Sequence, residues 1–148
     1  VDVRGWWLMP RLISMSLTER QVRARTKTET RRLGWWLDKR GRRLVVPGDR
    51  LVACRKVMGR RPGEPLVRIC EIEVVAVRRE PLLLIDDAGV QAEGLTCHDA
   101  DFGEWYDDDW PTPTAWVAWF CEQQRCTPDC EITVISFRYP DGASGGGG

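Results

Sequence analysis

Arg25-Thr26-Lys27-Thr28-Glu29-Thr30-Arg31-Arg32 sets a lysine, a hydroxyl three residues on and a double arginine beside a predicted helix. A helical turn through the segment would put Lys27 and Thr30 on one face, because residues three apart are neighbours there. A threonine hydroxyl is a poor nucleophile until a neighbouring base takes its proton. A lysine serves as that base only when neutral, and desolvation or nearby cations lower its pKa toward that state. Arg25, Arg31 and Arg32 are the cations at hand. By spacing alone the same residues also describe an ordinary solvated basic helix end.

Upstream of this segment, residues 11–15 form a short strand candidate. Ser16-Leu17-Thr18-Glu19 matches a capping box, in which Ser16 and Glu19 satisfy free amides at a helix start. The helix is expected over residues 17–25, with Leu17, Val22 and Ala24 inward. Downstream, residues 38–43 read as an exposed turn around Gly41. Pro47-Gly48-Asp49 is a tight turn into a strand over 50–57, and 60–64 is a basic loop. Residues 66–79, rich in Val and Ile, give the longest strand, long enough to need a bulge.

Residues 86–92 resemble a short helix with an acidic cap that closes at Gly94. Residues 99–109 are an acidic loop carrying Trp105 and Tyr106. Thr114 is the expected cap of a helix whose Trp116, Trp119 and Phe120 recur at the spacing of one buried face. Residues 131–139 alternate as a final strand buried on at least one face. Four or five strands with a few helices make an α+β chain built as a small mixed barrel, with no internal repeat.

The 148 residues fit one domain with a core of its own. Net charge is zero, yet residues 1–80 hold 20 Lys/Arg against 9 Asp/Glu, and residues 81–148 hold 2 against 13. A basic half suits phosphate-bearing partners; equally, the two halves can attract each other across one fold. No stretch resembles a signal peptide or a membrane span, residues 1–8 being too short and mixed for either. Met9-Pro10-Arg11 is a candidate natural start, making 1–9 an extension, and the glycine-rich 141–148 is expected to be a disordered tail. Six irregularly spaced cysteines read as thiols of a reducing cytoplasm, not as a secreted disulfide framework.

The segment Lys27-Thr28-Glu29-Thr30-Arg31-Arg32 resembles the signature of the ASCH domain family of the PUA-like superfamily. That signature has a lysine, a threonine three residues on and an arginine five residues on, just after the first helix. Three further stretches match in order. Pro47-Gly48-Asp49-Arg50-Leu51 is similar to the family's turn into a barrel strand. Glu93-Gly94-Leu95-Thr96 is similar to the segment that supplies its catalytic glutamate, and Val134-Ile135-Ser136-Phe137-Arg138 to its closing strand. Four ordered anchors place the domain at residues 10–140 and imply a small mixed PUA-like β-barrel with flanking helices. One position departs: the family usually has glycine two residues before the lysine, where this chain has Arg25.

Within the family the chain is most similar to small bacterial amidohydrolases of N4-acetylcytidine. That resemblance implies a triad in which Thr30 attacks the acyl carbon, Lys27 receives its proton and Glu93 orients or neutralises the lysine. It implies no metal or organic cofactor and a modified cytidine nucleoside or RNA as partner. Backbone amides near Thr30 or the Arg31 side chain would serve the oxyanion. Glu71 and Glu73 are rival carboxylates on a strand. Arg25, Arg31, Arg32 and Arg55 are candidate binding cations, and Trp35 and Trp36 a candidate stacking platform for the base; Trp116 and Trp119 read as core.

Other functions stay open at this point. The same cleft could make a non-catalytic RNA- or DNA-binding module using Arg31, Arg32 and Arg55, or a ribonuclease. Cys121, Cys126 and Cys130, with Cys97 or His98, could hold a structural zinc, though the spacing is looser than paired CxxC knuckles. His98 is the chain's one histidine, and no nucleophile-elbow pattern accompanies it.

Overall fold

A computed structural model of the protein describes residues 11–34, 36–103 and 109–140. Trp35, Trp105, Tyr106, the 1–9 extension and the 141–148 tail therefore lie outside the described residues. Five strands form one mixed sheet, β1 (Arg11–Ser14), β2 (Glu29–Leu33), β3 (Arg50–Cys54), β4 (Arg68–Pro81) and β5 (Glu131–Arg138). Their spatial order is β1-β3-β4-β5-β2, with β1 parallel to β3 and every other pairing antiparallel. The sheet curls into a half-barrel flanked by α1 (Glu19–Arg23), α2 (Asp87–Glu93) and α3 (Pro113–Gln124).

The long strand over 66–79 is observed as β4, and its register against β5 shifts between Val74 and Ala76. That bulge is the bend its length demands, since an extra residue on one strand tightens the local twist. β5 is buried on both faces. Ile135 and Phe137 join Ile13, Val22 and Val74 on one side, while Ile132 and Val134 join Leu82, Val90 and Trp116 on the other. Burying one such Val or Ile contributes about 1.5–3 kcal/mol, so β5 is the spine of both cores.

Several expectations need correction. The helix over 17–25 contracts to α1, preceded by a 3-10 turn at Ser16–Thr18, and neither helix start carries a side-chain cap. Glu19 instead holds Arg23 and Arg55, so no capping box forms. So short a helix has room for only Gln21 and Val22 inward; Leu17 and Ala24 face solvent. The third helix begins two residues earlier than expected, with the Thr112 hydroxyl accepting from Ala115 N and Pro113 at the first helical position, where its missing N–H costs nothing. The strand from Arg50 stops at Cys54, where the pairing with β4 becomes irregular. The helix at 86–92 is borne out as α2, with Asp86 capping Gly89 N and Gly94 closing it at φ 99°. Among the described residues no helix is long and apolar enough to cross a membrane.

Candidate active site

The chain reaches the site through the way α1 ends. Arg25 N donates to Val22 O, Thr26 N donates to Gln21 O, and Arg25 takes φ 62° between them. This is a Schellman ending, whose left-handed residue is usually glycine because a Cβ is strained there. The glycine expected here from the ASCH signature would take this geometry without strain, whereas Arg25 bears it. Its guanidinium lies 5.7 Å over the Tyr139 ring and does not line the cavity described below.

Residues 26–28 leave this turn already tied to their neighbours. Thr28 N donates to Ala92 O of α2, Phe137 N of β5 donates to Thr28 O, and the Tyr139 hydroxyl donates to Lys27 O. Lys27 is consequently 2 % exposed, and its ammonium donates to the Glu93 carboxylate (Oε1, 2.8 Å) and to the Glu93 carbonyl (2.9 Å). Glu93 is the last residue of α2, and Gly94 behind it is required twice. It caps the helix in the left-handed region, and a Cβ there would press on Gln21 Cγ at 3.1 Å and Lys27 Cβ at 3.4 Å.

Thr30 and Arg32 are two apart on β2, hence on one face of the strand. Arg32 Nε donates to Thr30 Oγ1 (3.0 Å), and its Nη2 donates to Ser14 O (2.6 Å). Arg31, on the opposite side of the pleat, runs to the other oxygen of Glu93 (Nη1 to Oε2, 3.2 Å) and to Glu29 (3.0 Å). Lys27 and Thr30 therefore line one cavity as a loop residue and a strand residue, not as neighbours on a helix. Burial pushes the Lys27 ammonium below its ordinary pKa; Glu93 opposes that shift, and the cations of Arg32 and Arg31 add to it.

These side chains floor a cavity of about 170 Å³. At about 30 Å³ per water, that is room for five or six waters, the scale of one small planar group. Its apolar wall comes from α3, where Trp116, Trp119 and Phe120 line it and Trp116 stacks on Phe120 with centroids 5.2 Å apart. The helical spacing that identified this face as core also makes it the wall: Trp116 is 1 % exposed and still borders the cavity. Ser14, Ser16, Thr18 and Gln124 add polar groups that the sequence did not mark as site residues. They come from two places in the chain, residues 14–18 and the end of α3, and only the fold brings these together.

Several candidates stand elsewhere. Trp36 packs against the core on the far side of β5, away from the cavity. Arg55 donates to Glu19 on the surface (2.8 and 3.1 Å) and does not line the cavity. Glu71 pairs with Arg50, and Glu73 with Arg50 and Arg138, so neither is a rival for Glu93. Arg31 is engaged by two carboxylates, and Arg32 is the guanidinium that reaches Thr30.

The cysteines do not assemble a metal centre. Among the described residues no group of three or more His, Cys, Asp or Glu side chains could hold a metal ion. His98 Nε2 lies 3.1 Å from Asp109 Oδ1. Cys121 and Cys126 have sulfurs 3.9 Å apart, and desolvation, then the neighbouring Cys121, pushes the Cys126 thiol up to about 11. The contact accompanies the close of α3, where Cys126 N donates to Cys121 O and Arg125 takes φ 56° between the two residues.

No protein-family model matches the chain, and no curated protein does. Solved structures do match. The DUF984-family protein EF3133 from Enterococcus faecalis V583 superimposes with a TM-score of 0.58 at 16% identity, over 93% of this chain and 91% of that one. An ASCH domain from Lactobacillus crispatus JV V101 gives 0.51 at 14% identity, over 93% and 85%.

Proposed function

We propose that this chain, whose fold is that of ASCH domains, is an amidohydrolase that releases the acyl group from N4-acetylcytidine or a related N4-acylated cytosine. The observation that carries the reading is a buried lysine–glutamate pair at 2.8 Å, opening with a threonine hydroxyl onto one small aromatic-walled cavity. A planar acylated base fits such a wall, since stacking on an aromatic ring contributes about 1–3 kcal/mol per base.

Lys27 passes a proton to Glu93 and, as a neutral amine, takes the proton of Thr30 as Oγ1 attacks the acyl carbon. Arg32, donating to that same oxygen, stabilises the alkoxide character that develops on it. Its guanidinium also replaces Arg31 as the cation available to the oxyanion. As the tetrahedral intermediate collapses, the C–N bond breaks and the N4 amine leaves with the proton from Lys27. Water then attacks the acyl-threonine with Lys27 as base, and the free acid departs. Two of the three ammonium donors of Lys27 are held by Glu93 in the resting state, so one remains for this shuttle.

The test is to incubate the protein with N4-acetylcytidine and follow cytidine release, with Lys27→Ala, Thr30→Ala and Glu93→Ala in parallel. Turnover by wild type that falls by about 100-fold or more in each variant is the expected result, that being the scale of positioned acid–base catalysis. Absence of turnover by well-folded wild type, together with salt-sensitive RNA binding, favours a binding module instead.

A further inference from the structure

Glu93 answers to two cations, and one of them has no step in the proposed reaction. We propose that Arg31 is a positioning residue for Lys27: by holding the second oxygen of Glu93 it divides that carboxylate between two cations and lowers the proton affinity of the lysine. The catalytic meaning of this rests on the amidohydrolase reading; the effect on Lys27 does not.

Arg31 is 5 % exposed, and its guanidinium carbon lies 6.0 Å from the centre of the Trp116 ring. The fold makes room for it. Gly89 of α2 stands where any Cβ would sit 2.8 Å from Arg31 Nη2 and 2.8 Å from Ile85 Cγ1. Glycine inside a helix costs about 1 kcal/mol against alanine, so the space is kept at a cost. The guanidinium aims Nη1 at two carboxylates while its Nε is buried with no hydrogen-bond partner. A buried arginine serving packing alone gains nothing from leaving that donor unmet.

Charges alternate outward from the cavity. Lys27 pairs with Glu93 at 2.8 Å, Glu93 with Arg31 at 3.2 Å, Arg31 with Glu29 at 3.0 Å, and Glu29 with Arg78 at 3.8 Å at the surface. The charged groups facing Lys27 are Glu93 from α2 and Arg31 and Arg32 from β2. From the β1–α1 side the cavity receives Ser14, Met15 and Thr18, and from α3 Trp116, Trp119 and Phe120, none of them charged. Arg31 thus acts on Lys27 by repulsion and by taking half of its counter-ion. Glu29 acts oppositely, drawing Arg31 away from Glu93.

Two variants of opposite sign follow, and a structural role for Arg31 would not produce them. The readout is the side-chain 13Cε and 15Nζ resonance of Lys27 against pH, assigned by its loss in Lys27→Arg. Arg31→Gln should raise the Lys27 midpoint by about one pH unit, the scale of one nearby charge. Glu29→Gln, at a half-buried and more tolerant position, should lower it. A midpoint unchanged within a few tenths of a unit in Arg31→Gln overturns the proposal. Should that variant not fold, an unchanged or raised midpoint in Glu29→Gln overturns it equally. If the midpoints move as stated while no N4-acylated cytosine is hydrolysed, Arg31 keeps its role and the amidohydrolase reading falls.

Discussion

Replacing Glu93 by glutamine removes the anion from the centre of the site and leaves Lys27 and Arg31, 2 % and 5 % exposed, without their shared counter-ion. Breaking a buried ion pair from one side costs about 3–5 kcal/mol, because the remaining charge stays desolvated. Part of that cost is recoverable, since Lys27 can shed its proton whereas Arg31 cannot. Without Glu93 to oppose it, burial and the two arginines drive the Lys27 pKa further below its ordinary value of 10.5. The sign follows from linkage. Between the lowered folded pKa and the unfolded value the unfolded chain binds more protons, so the stability of Glu93→Gln rises with pH across that window. Below the folded pKa both states are protonated and the full deficit stands.

Urea unfolding at pH 6, 8 and 10 measures this directly. The expected result is a deficit of about 3–5 kcal/mol at pH 6 that narrows by pH 10. A Lys27→Met/Glu93→Gln double variant should recover at least about 1 kcal/mol relative to additivity, as contacting residues do. A loss below about 1 kcal/mol at every pH, the value of an exposed pair, would refute the claim that this is one buried charge cluster.

Other consequences are open to measurement. Arg125→Gly should raise the melting temperature by a few degrees, because φ 56° strains any Cβ by about 1 kcal/mol. Arg25→Gly relieves the same strain but loses the contact with the Tyr139 ring, worth about 0.5–1 kcal/mol, so calorimetry should find it nearly neutral. Asp86→Ala removes the cap of α2, and unfolding should show a loss of about 1 kcal/mol. The Arg55 and then Arg23 hydrogen bonds hold the Glu19 carboxyl down from 4.5 to about 2. Its contribution is complete above pH 4.5 and is lost as pH falls toward 2, so acid titration should bring wild type and Glu19→Gln together. The pair is solvent-facing, and at neutral pH the difference should not exceed about 1 kcal/mol.

The sequence was most legible where one rule governed a local choice. Asp86 and Gly94 bounded α2, the Val/Ile run of β4 announced a strand and its bulge, and alternation marked β5. Lys27, Thr30 and Glu93 were brought forward by a resemblance to ordered motifs, and they converge on one cavity although Glu93 lies 66 residues from Lys27. What failed depended on tertiary competition. Ser16 and Glu19 have the composition of a capping box, but Arg23 and Arg55 claim Glu19. Trp36, adjacent in sequence to the motif, turns to the opposite core, while Trp116 and Trp119, far along the chain, supply the wall. Arg31 and Arg32 are neighbours in sequence with different partners, because strand alternation sends them to opposite sides.

Acyl transfer through Thr30 is tested most directly by partitioning. N4-acetylcytosine and N4-acetylcytidine differ in their leaving groups but would give one acetyl-threonine. With hydroxylamine present as competitor to water, both substrates should yield acetohydroxamate and acetate in the same ratio, and Thr30→Ala should yield neither. A ratio that differs between the two substrates, or undiminished turnover in Thr30→Ala, would contradict a threonine-bound intermediate.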